Sequence, residues 1–122
     1  MNEHILVVDD EVPTRELLSI FFKRQGCTVT TASTGAEALR RVTELPIHLV
    51  ILDINLDEPM SGLDLLEPMK KTRSALPIIL FSGIRLDEKT LQEARQKGAD
   101  GYLHKTQPLD QVWAEVQRVL QT

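Results

Sequence analysis

The sequence predicts an α/β fold: a doubly wound parallel sheet of five strands with five helices on its two faces. Five short runs that read as strands alternate with longer segments whose apolar residues recur at helical spacing. Three of the runs are almost wholly apolar, which is typical of strands buried on both faces. Strands that alternate with helices pair in parallel through right-handed crossovers, so helices are expected on both sides of the sheet.

The first predicted strand, residues 4–9, reads HILVVD and leads directly into further acidic residues, Asp10 and Glu11. The third and fourth runs, 48–53 and 77–82, read HLVILD and PIILFS. The second and fifth, 28–32 and 100–104, are less apolar. The predicted strands therefore end in chemically distinct residues, which matters for the site considered below.

Apolar residues at i, i+3 and i+4 spacing place four of the helices. These markers are Leu17, Leu18, Phe21 and Phe22 in the first helix, Ala38, Leu39, Val42 and Leu45 in the second, Leu63, Leu65, Leu66 and Met69 in the third, and Leu109, Val112, Trp113, Val116 and Leu120 in the fifth. Pro68 inside the third helix predicts a kink or a loosened turn. The fourth helix, Asp87 to Lys97 with Gly98 as its C-cap, is mostly polar and is predicted to be the least firmly packed.

The length and composition favour one soluble domain, residues 1–122, because a chain of 122 residues is long enough to bury a core without disulfides or structural metal ions. A net charge of −4, with scattered Lys and Arg, gives no basis for direct nucleic-acid binding. Cys27 is the single cysteine, which excludes an internal disulfide or a CxxC site. No apolar run approaches the roughly 20 residues of a membrane helix, so we expect a cytoplasmic protein without membrane contact.

Polar residues stand at the carboxyl ends of the predicted strands, where doubly wound sheets bind their ligands. In the flavodoxin-like order 2-1-3-4-5, strands 1 and 3 are neighbours, so Asp9, Asp10 and Asp53 are expected to meet. Clustered carboxylates repel one another unless a cation neutralises them. Because the set offers oxygen ligands only, the sequence predicts a Mg²⁺ site.

Asp53 is predicted to lie between this metal, the ammonium group of Lys105 at the end of strand 5, and the hydroxyl of Ser82 at the end of strand 4. A carboxylate in such surroundings can act as a nucleophile toward phosphorus and form an aspartyl phosphate. The metal and Lys105 would neutralise the phosphoryl oxygens, and Ser82 could donate a hydrogen bond to them.

Four fragments, "VVDD", the "LD" of "VILDINL", "LFSG" and "GADGYLHK", resemble the response regulator receiver domain of two-component signalling. The likeness covers the whole chain and extends to single-domain regulators of the chemotaxis type. It implies that Asp53 is the phosphoacceptor, that Asp10 binds Mg²⁺ directly, and that Asp9 does so through water. The main-chain carbonyl of Asn55 would complete the protein's share of the coordination.

The resemblance also implies a switch. Ser82 matches the family's switch hydroxyl, Lys105 its lysine and Tyr102 its switch aromatic residue. Phosphorylation would shift the population at the surface of helix 4, strand 5 and helix 5. The implied partners are a sensor histidine kinase or histidine phosphotransfer protein and an unidentified downstream effector, with the chain a monomer or weak dimer. Only self-phosphorylation and self-dephosphorylation are expected, rather than enzymatic turnover of a separate substrate.

Two departures from the family pattern stand out. Thr106 follows the lysine, where the family usually has a proline preceded by a cis bond, so the loop to helix 5 is expected to run differently. The loop after Asp53 is one residue longer than the common pattern, so roles of Pro59 and Met60 do not carry over. Asp57 and Glu58 in that loop are expected to add negative charge near the metal.

Other interpretations remain open. An aspartate-nucleophile phosphatase on a similar sheet would need a DxD pair on its first strand, whereas here Asn55 replaces the second acid and Asp53 is on the third strand. Thr106 and the longer loop are compatible with a receiver-like scaffold that works without phosphorylation. Tyr102 could serve ordinary packing. The three histidines, His4, His48 and His104, share no metal-ligand spacing and are interpreted as structural residues.

Overall fold

In the computed structural model, which describes residues 2–56 and 61–121, five strands alternate with five helices. The strands are β1 (His4–Val8), β2 (Thr28–Ala32), β3 (Leu49–Asp53), β4 (Ile78–Ser82) and β5 (Gly101–His104). The helices are α1 (Val12–Arg24), α2 (Gly35–Glu44), α3 (Gly62–Thr72), α4 (Glu88–Gln96) and α5 (Leu109–Leu120). All strand pairs are parallel and the order is β2-β1-β3-β4-β5, which confirms the predicted fold class and strand order.

The three central strands, β1, β3 and β4, are the apolar ones, and their side chains alternate between two separate cores. On one face, residues such as Leu52 and Leu80 pack against α2, α3 and α4. On the other face, residues such as Ile51 and Phe81 pack against α1 and α5. Edge strand β2, with the sequence TVTTA, is only partly buried, which explains its threonines.

Helix α3 begins with a capping box. The Ser61 hydroxyl accepts a hydrogen bond from the Asp64 N–H at 3.3 Å, and the Ser61 N–H donates to the Asp64 carboxylate at 3.1 Å. The helix continues past Pro68 to Thr72, so the expected kink stays a prediction. The loop residues 57–60, including Pro59 and Met60 and the acidic pair before them, lie outside the described residues.

Helix α4 buries only Ala94, fewer side chains than any other of the described helices, as its polar sequence predicts. Its N-cap is Asp87, whose side chain accepts a hydrogen bond from the Thr90 N–H at 2.8 Å. The prediction of Gly98 as the C-cap is wrong by one residue. Lys97 is the C-cap, and Gly98 follows with φ at +116°, a conformation that favours glycine.

Across residues 2–56 and 61–121, none of the helices has the length and apolar character that crossing a membrane requires.

Candidate functional site

Three carboxylates gather at the carboxyl edge of the sheet. Oxygen atoms of Asp9, Asp10 and Asp53 all lie within 4.8 Å of one another. The strand register explains this closeness: Val8 pairs with Leu52, so the residues that follow them leave adjacent strands side by side. Asp9 and Asp53 are each only 1% exposed, whereas Asp10 is half-buried.

Each buried carboxylate accepts a hydrogen bond from the backbone two residues further on. The Asn55 N–H donates to Asp53 Oδ1 at 3.1 Å, and the Glu11 N–H donates to Asp9 Oδ1 at 2.9 Å. The second oxygen of each group, Oδ2, is buried, and among the described residues it faces the ammonium group of Lys105 rather than a backbone N–H. The two local bonds fix the carboxylates in position and leave one oxygen of each to interact with a cation.

Lys105 brings a positive charge to both carboxylates. Its Nζ lies 2.9 Å from Asp9 Oδ2, 3.3 Å from Asp53 Oδ2 and 3.3 Å from Glu11 Oε1, and 5.8 Å from the centroid of the Phe81 ring. Its own N–H donates to the Ser82 carbonyl at 2.7 Å, which continues the β4–β5 pairing by one residue. The register of the last strand therefore directs the ammonium group back over the acidic cluster.

Burial and the neighbouring Asp9 charge raise the pKa of Asp53 to about 6, although the Asn55 N–H and Lys105 partly offset them. For Lys105, burial lowers the pKa, but the hydrogen bond to Asp9 and the charges of Asp53 and Asp9 outweigh it. The net result is a raised lysine pKa. The surroundings of Asp53 thus disfavour its negative charge, and Lys105 remains fully charged beside it.

Ser82 and Tyr102 meet at one backbone carbonyl. The Ser82 hydroxyl donates to the Ile84 carbonyl oxygen at 2.7 Å and accepts from the Ile84 N–H at 3.1 Å. The Tyr102 hydroxyl donates to the same carbonyl at 3.2 Å. In this structure the serine hydroxyl is therefore engaged by its own loop rather than by Asp53, and the two predicted switch residues share an acceptor.

Three contacts near the site were missed by the sequence reasoning. Arg15 Nη1 donates to the Asp9 carbonyl at 2.7 Å, and Glu11, noted as an acid, proves to be a partner of Lys105. The Gly62 N–H donates to the Ile54 carbonyl at 2.9 Å. A usable signal existed for Arg15, because it lies one helical turn after Glu11, where its side chain can reach back to the strand end.

The cluster suits a hard divalent cation. All its possible ligand atoms are carboxylate oxygens, and among the described residues the buried Asp9 Oδ2 and Asp53 Oδ2 have the Lys105 ammonium group as their one close polar partner. Asn55, predicted to contribute its main-chain carbonyl, is the second residue after the end of β3, and its N–H donates to Asp53 Oδ1. The donor set fits Mg²⁺ in ligand type.

Comparison with known proteins agrees with this geometry. The sequence profile described as "Response regulator receiver domain" matches residues 5–117. The chain is similar to the transcriptional regulatory protein KdpE of Mycobacterium tuberculosis, at 39% identity over 112 residues, which is 92% of this chain and 48% of that protein. The chain thus spans about half the length of that relative.

Two solved structures show the same fold. A CheY-like response regulator receiver domain protein from Methanospirillum hungatei has a TM-score of 0.92 and 25% identity, with 99% of this chain and 95% of that chain covered. A response regulator from Burkholderia pseudomallei, solved with a phosphorylated aspartic acid, a calcium ion and citrate, has a TM-score of 0.87 and 26% identity. That match covers 98% of this chain and 69% of that one.

Proposed function

Because this chain belongs to the response regulator receiver domains of two-component systems, we propose that Asp53 accepts a phosphoryl group in a Mg²⁺-dependent reaction. The observation that carries the proposal is the position of Lys105 Nζ beside two buried carboxylates: it lies 2.9 Å from Asp9 Oδ2 and 3.3 Å from Asp53 Oδ2. A purely structural lysine would gain little from such a site, since burying three charges is costly.

In the proposed reaction, an oxygen of Asp53 attacks phosphorus while the bond from phosphorus to the donor's leaving group breaks. The product is an acyl phosphate, and the leaving group departs with its bonding electrons. Lys105 supplies positive charge to the phosphoryl oxygens as they approach the buried cluster. Asp9, Asp10, Asp53 and the Asn55 carbonyl would hold Mg²⁺, which supplies further charge neutralisation at those oxygens.

The donor is proposed to be a sensor histidine kinase or a histidine phosphotransfer protein. The phosphohistidine of such a protein is a suitable donor, because its imidazole departs with the electrons of the broken P–N bond, and the Burkholderia relative supports the acceptor chemistry because it was solved with a phosphorylated aspartic acid. Residues 1–122 then act as one receiver domain. Its activity is confined to its own phosphorylation and dephosphorylation.

The readout is proposed to start at Ser82. To donate to a phosphoryl oxygen, its hydroxyl must release the Ile84 carbonyl, which Tyr102 also binds. That exchange would reorganise the loop before α4, which buries the fewest side chains among the described helices. The face formed by α4, β5 and α5 would then present a changed surface to a downstream effector.

The test uses acetyl phosphate as a small donor, with Mg²⁺, and intact-mass measurement. Wild type should gain one phosphoryl group that is lost on mild alkaline treatment, and Asp53→Asn should gain none. Asp110→Asn, an acid in the first turn of α5, is the matched control and should behave like wild type. Equal labelling of the Asp53→Asn variant, or of wild type in excess chelator, would overturn the proposal.

The phosphatase alternative has a separate test on the same sample. A phosphatase would turn over p-nitrophenyl phosphate many times per chain, whereas a receiver would be labelled once. The geometry favours the receiver because Asp53 accepts from the Asn55 N–H and no second acid stands two residues on.

A further inference from the structure

The turn that follows Lys105 is held by the side chain of the residue before it. The Thr106 N–H donates to His104 Nδ1 at 3.2 Å, and the Thr106 hydroxyl lies 2.6 Å from the same nitrogen. The backbone closes around this contact, because the Gln107 N–H donates to the His104 carbonyl at 3.0 Å. The Gln107 side-chain oxygen in turn accepts from the His104 N–H at 2.7 Å.

The direction of these bonds fixes the state of the ring. A backbone N–H can only donate, so His104 Nδ1 must present its lone pair, and the ring proton is assigned to Nε2. The Thr106 hydroxyl can then donate to the same lone pair. Threonine at 106 supplies two donors here, whereas a proline would supply neither the N–H nor a hydroxyl.

We propose that His104 is a positioning residue for Lys105, with its unprotonated Nδ1 fixing the turn that aims the lysine at Asp53. The inference rests on the proposed function and adds a residue to it. Lys105 is held on one side by its N–H bond to the Ser82 carbonyl and on the other by this turn. Its ammonium group must satisfy three carboxylates at once, so a small backbone shift misplaces it at all of them.

The His104 contact is local and separable from the acidic cluster. None of its hydrogen bonds involves Asp9, Asp10 or Asp53. Loss of the contact should therefore slow phosphoryl transfer, which needs Lys105, without weakening Mg²⁺ binding, since a displaced ammonium group only removes positive charge from beside the metal ligands. A general loosening of the fold would weaken both, and this difference separates positioning from mere structural support.

The experiment compares His104→Asn with His104→Gln. An Asn side-chain oxygen stands where His Nδ1 stands and readily accepts from the N–H two residues on, whereas a Gln oxygen is one bond further out. The measured quantities are the rate of labelling by acetyl phosphate and the Mg²⁺ dissociation constant from calorimetry. His48→Gln is the matched control, because His48 Nδ1 accepts a hydrogen bond from the His4 N–H at 2.8 Å. That contact lies at the start of β1 and β3 rather than at the end of β5.

We expect His104→Gln to label roughly threefold to tenfold more slowly, the loss expected when one or two hydrogen bonds holding a geometry are removed. His104→Asn should stay within about twofold of wild type, and the control should match wild type. All variants should bind Mg²⁺ at least as tightly as wild type. Nitrogen-15 spectra of the wild-type ring should show an unprotonated Nδ1, a readout that needs no variant to fold.

Four results would overturn the inference: a wild-type rate in His104→Gln, equal slowing in His104→Asn, a parallel loss of Mg²⁺ affinity, or a protonated Nδ1. If wild type itself takes up no phosphoryl group, the proposed function fails and this inference with it. If wild type is labelled, His104→Gln is labelled slowly and His104→Asn is labelled at the normal rate, the results support both the proposed function and this inference.

Discussion

Gly62 lies directly against the backbone of Asp53. A β-carbon on residue 62 would collide with the Asp53 carbonyl oxygen and lie 2.9 Å from both the Asp53 carbonyl carbon and the Ile54 Cα. The first residue of α3 therefore touches the end of β3 at the point where the proposed nucleophile is displayed. No residue with a side chain fits there without moving that backbone.

Gly62→Ala should lower the free energy of unfolding by about 1 to 3 kcal/mol, the usual cost of forcing extra volume into a close-packed contact. It should also slow labelling at Asp53, because the strand end has to shift. Urea unfolding and acetyl phosphate labelling measure the two effects. Gly83→Ala is the stability control, because the nearest neighbour of a β-carbon added there would be Lys105 Cδ at 3.7 Å, an ordinary van der Waals contact. Similar losses in both variants would contradict the role assigned to the Gly62 contact.

Asp53 should make stability depend on pH in the absence of divalent cations. Its folded-state pKa is about 6, above the ordinary 3.8, so between these values the folded chain holds a proton that the unfolded chain releases. The free energy of unfolding contributed by this group therefore falls as pH rises through that window. Asp53→Asn lacks this loss, so above pH 6 in EDTA its free energy of unfolding should exceed that of wild type by about 1 to 3 kcal/mol.

The difference between the two proteins should shrink as the pH falls toward 4, where Asp53 is protonated in wild type. Chemical denaturation at pH 4.5 and pH 7.5 measures it, and acids remote from the cluster cancel because both chains carry them in the same surroundings. A difference in free energy of unfolding that stays constant with pH would mean that the pKa of Asp53 is not raised in the folded chain. Adding Mg²⁺ should stabilise wild type more than the variant.

Arg15 should stabilise the loop that carries Asp9 and Asp10. Its Nη1 donates to the Asp9 carbonyl at 2.7 Å, a hydrogen bond from a charged donor. Arg15→Ala should lower the free energy of unfolding by about 1 to 2 kcal/mol. Arg24→Ala, an exposed arginine in the last turn of the same helix, is the control for losing an arginine from α1. Equal effects of the two substitutions would argue against a specific role for the Arg15 contact.

The Ile84 amide should report on the proposed switch. Beryllofluoride with Mg²⁺, a stable stand-in for the phosphoryl group, should draw the Ser82 hydroxyl away from the Ile84 carbonyl and shift the Ile84 amide resonance. In Ser82→Ala the hydroxyl is missing, so the added ligand should shift this amide much less. The Val116 amide, inside the α1/α5 core, serves as the internal reference. An unchanged Ile84 resonance in liganded wild type would contradict the proposed exchange.

Much of this arrangement follows from the sequence because strand ends are read directly from apolar runs. VILD and HILVVDD place Asp53, Asp9 and Asp10 on neighbouring strands, and parallel pairing brings them together. The edge position of β2 and the light packing of α4 follow in the same way from composition. These features depend on period and polarity, which are local properties of the chain.

The contacts that were missed depend instead on side-chain directions set by the folded structure. Glu11 and Lys105 are 94 residues apart in the sequence, and the strand pairing of the folded sheet brings Lys105 Nζ to 3.3 Å from Glu11 Oε1. The Ser82 hydroxyl bonds to the backbone of Ile84, so the interpretation of this serine as a cap of the following loop describes its observed contacts, which periodicity alone does not settle. Likewise, His104 gains its role only from the donors that Thr106 happens to offer.

The single buried methyl group of Ala94 has an evolutionary consequence for α4. Because only Ala94 is buried and only Thr90 and Leu91 are partly buried, the six exposed positions of this nine-residue helix can be exchanged at little cost to folding. Duplicated copies of such a gene can therefore vary the surface of this helix without first having to re-evolve a stable domain.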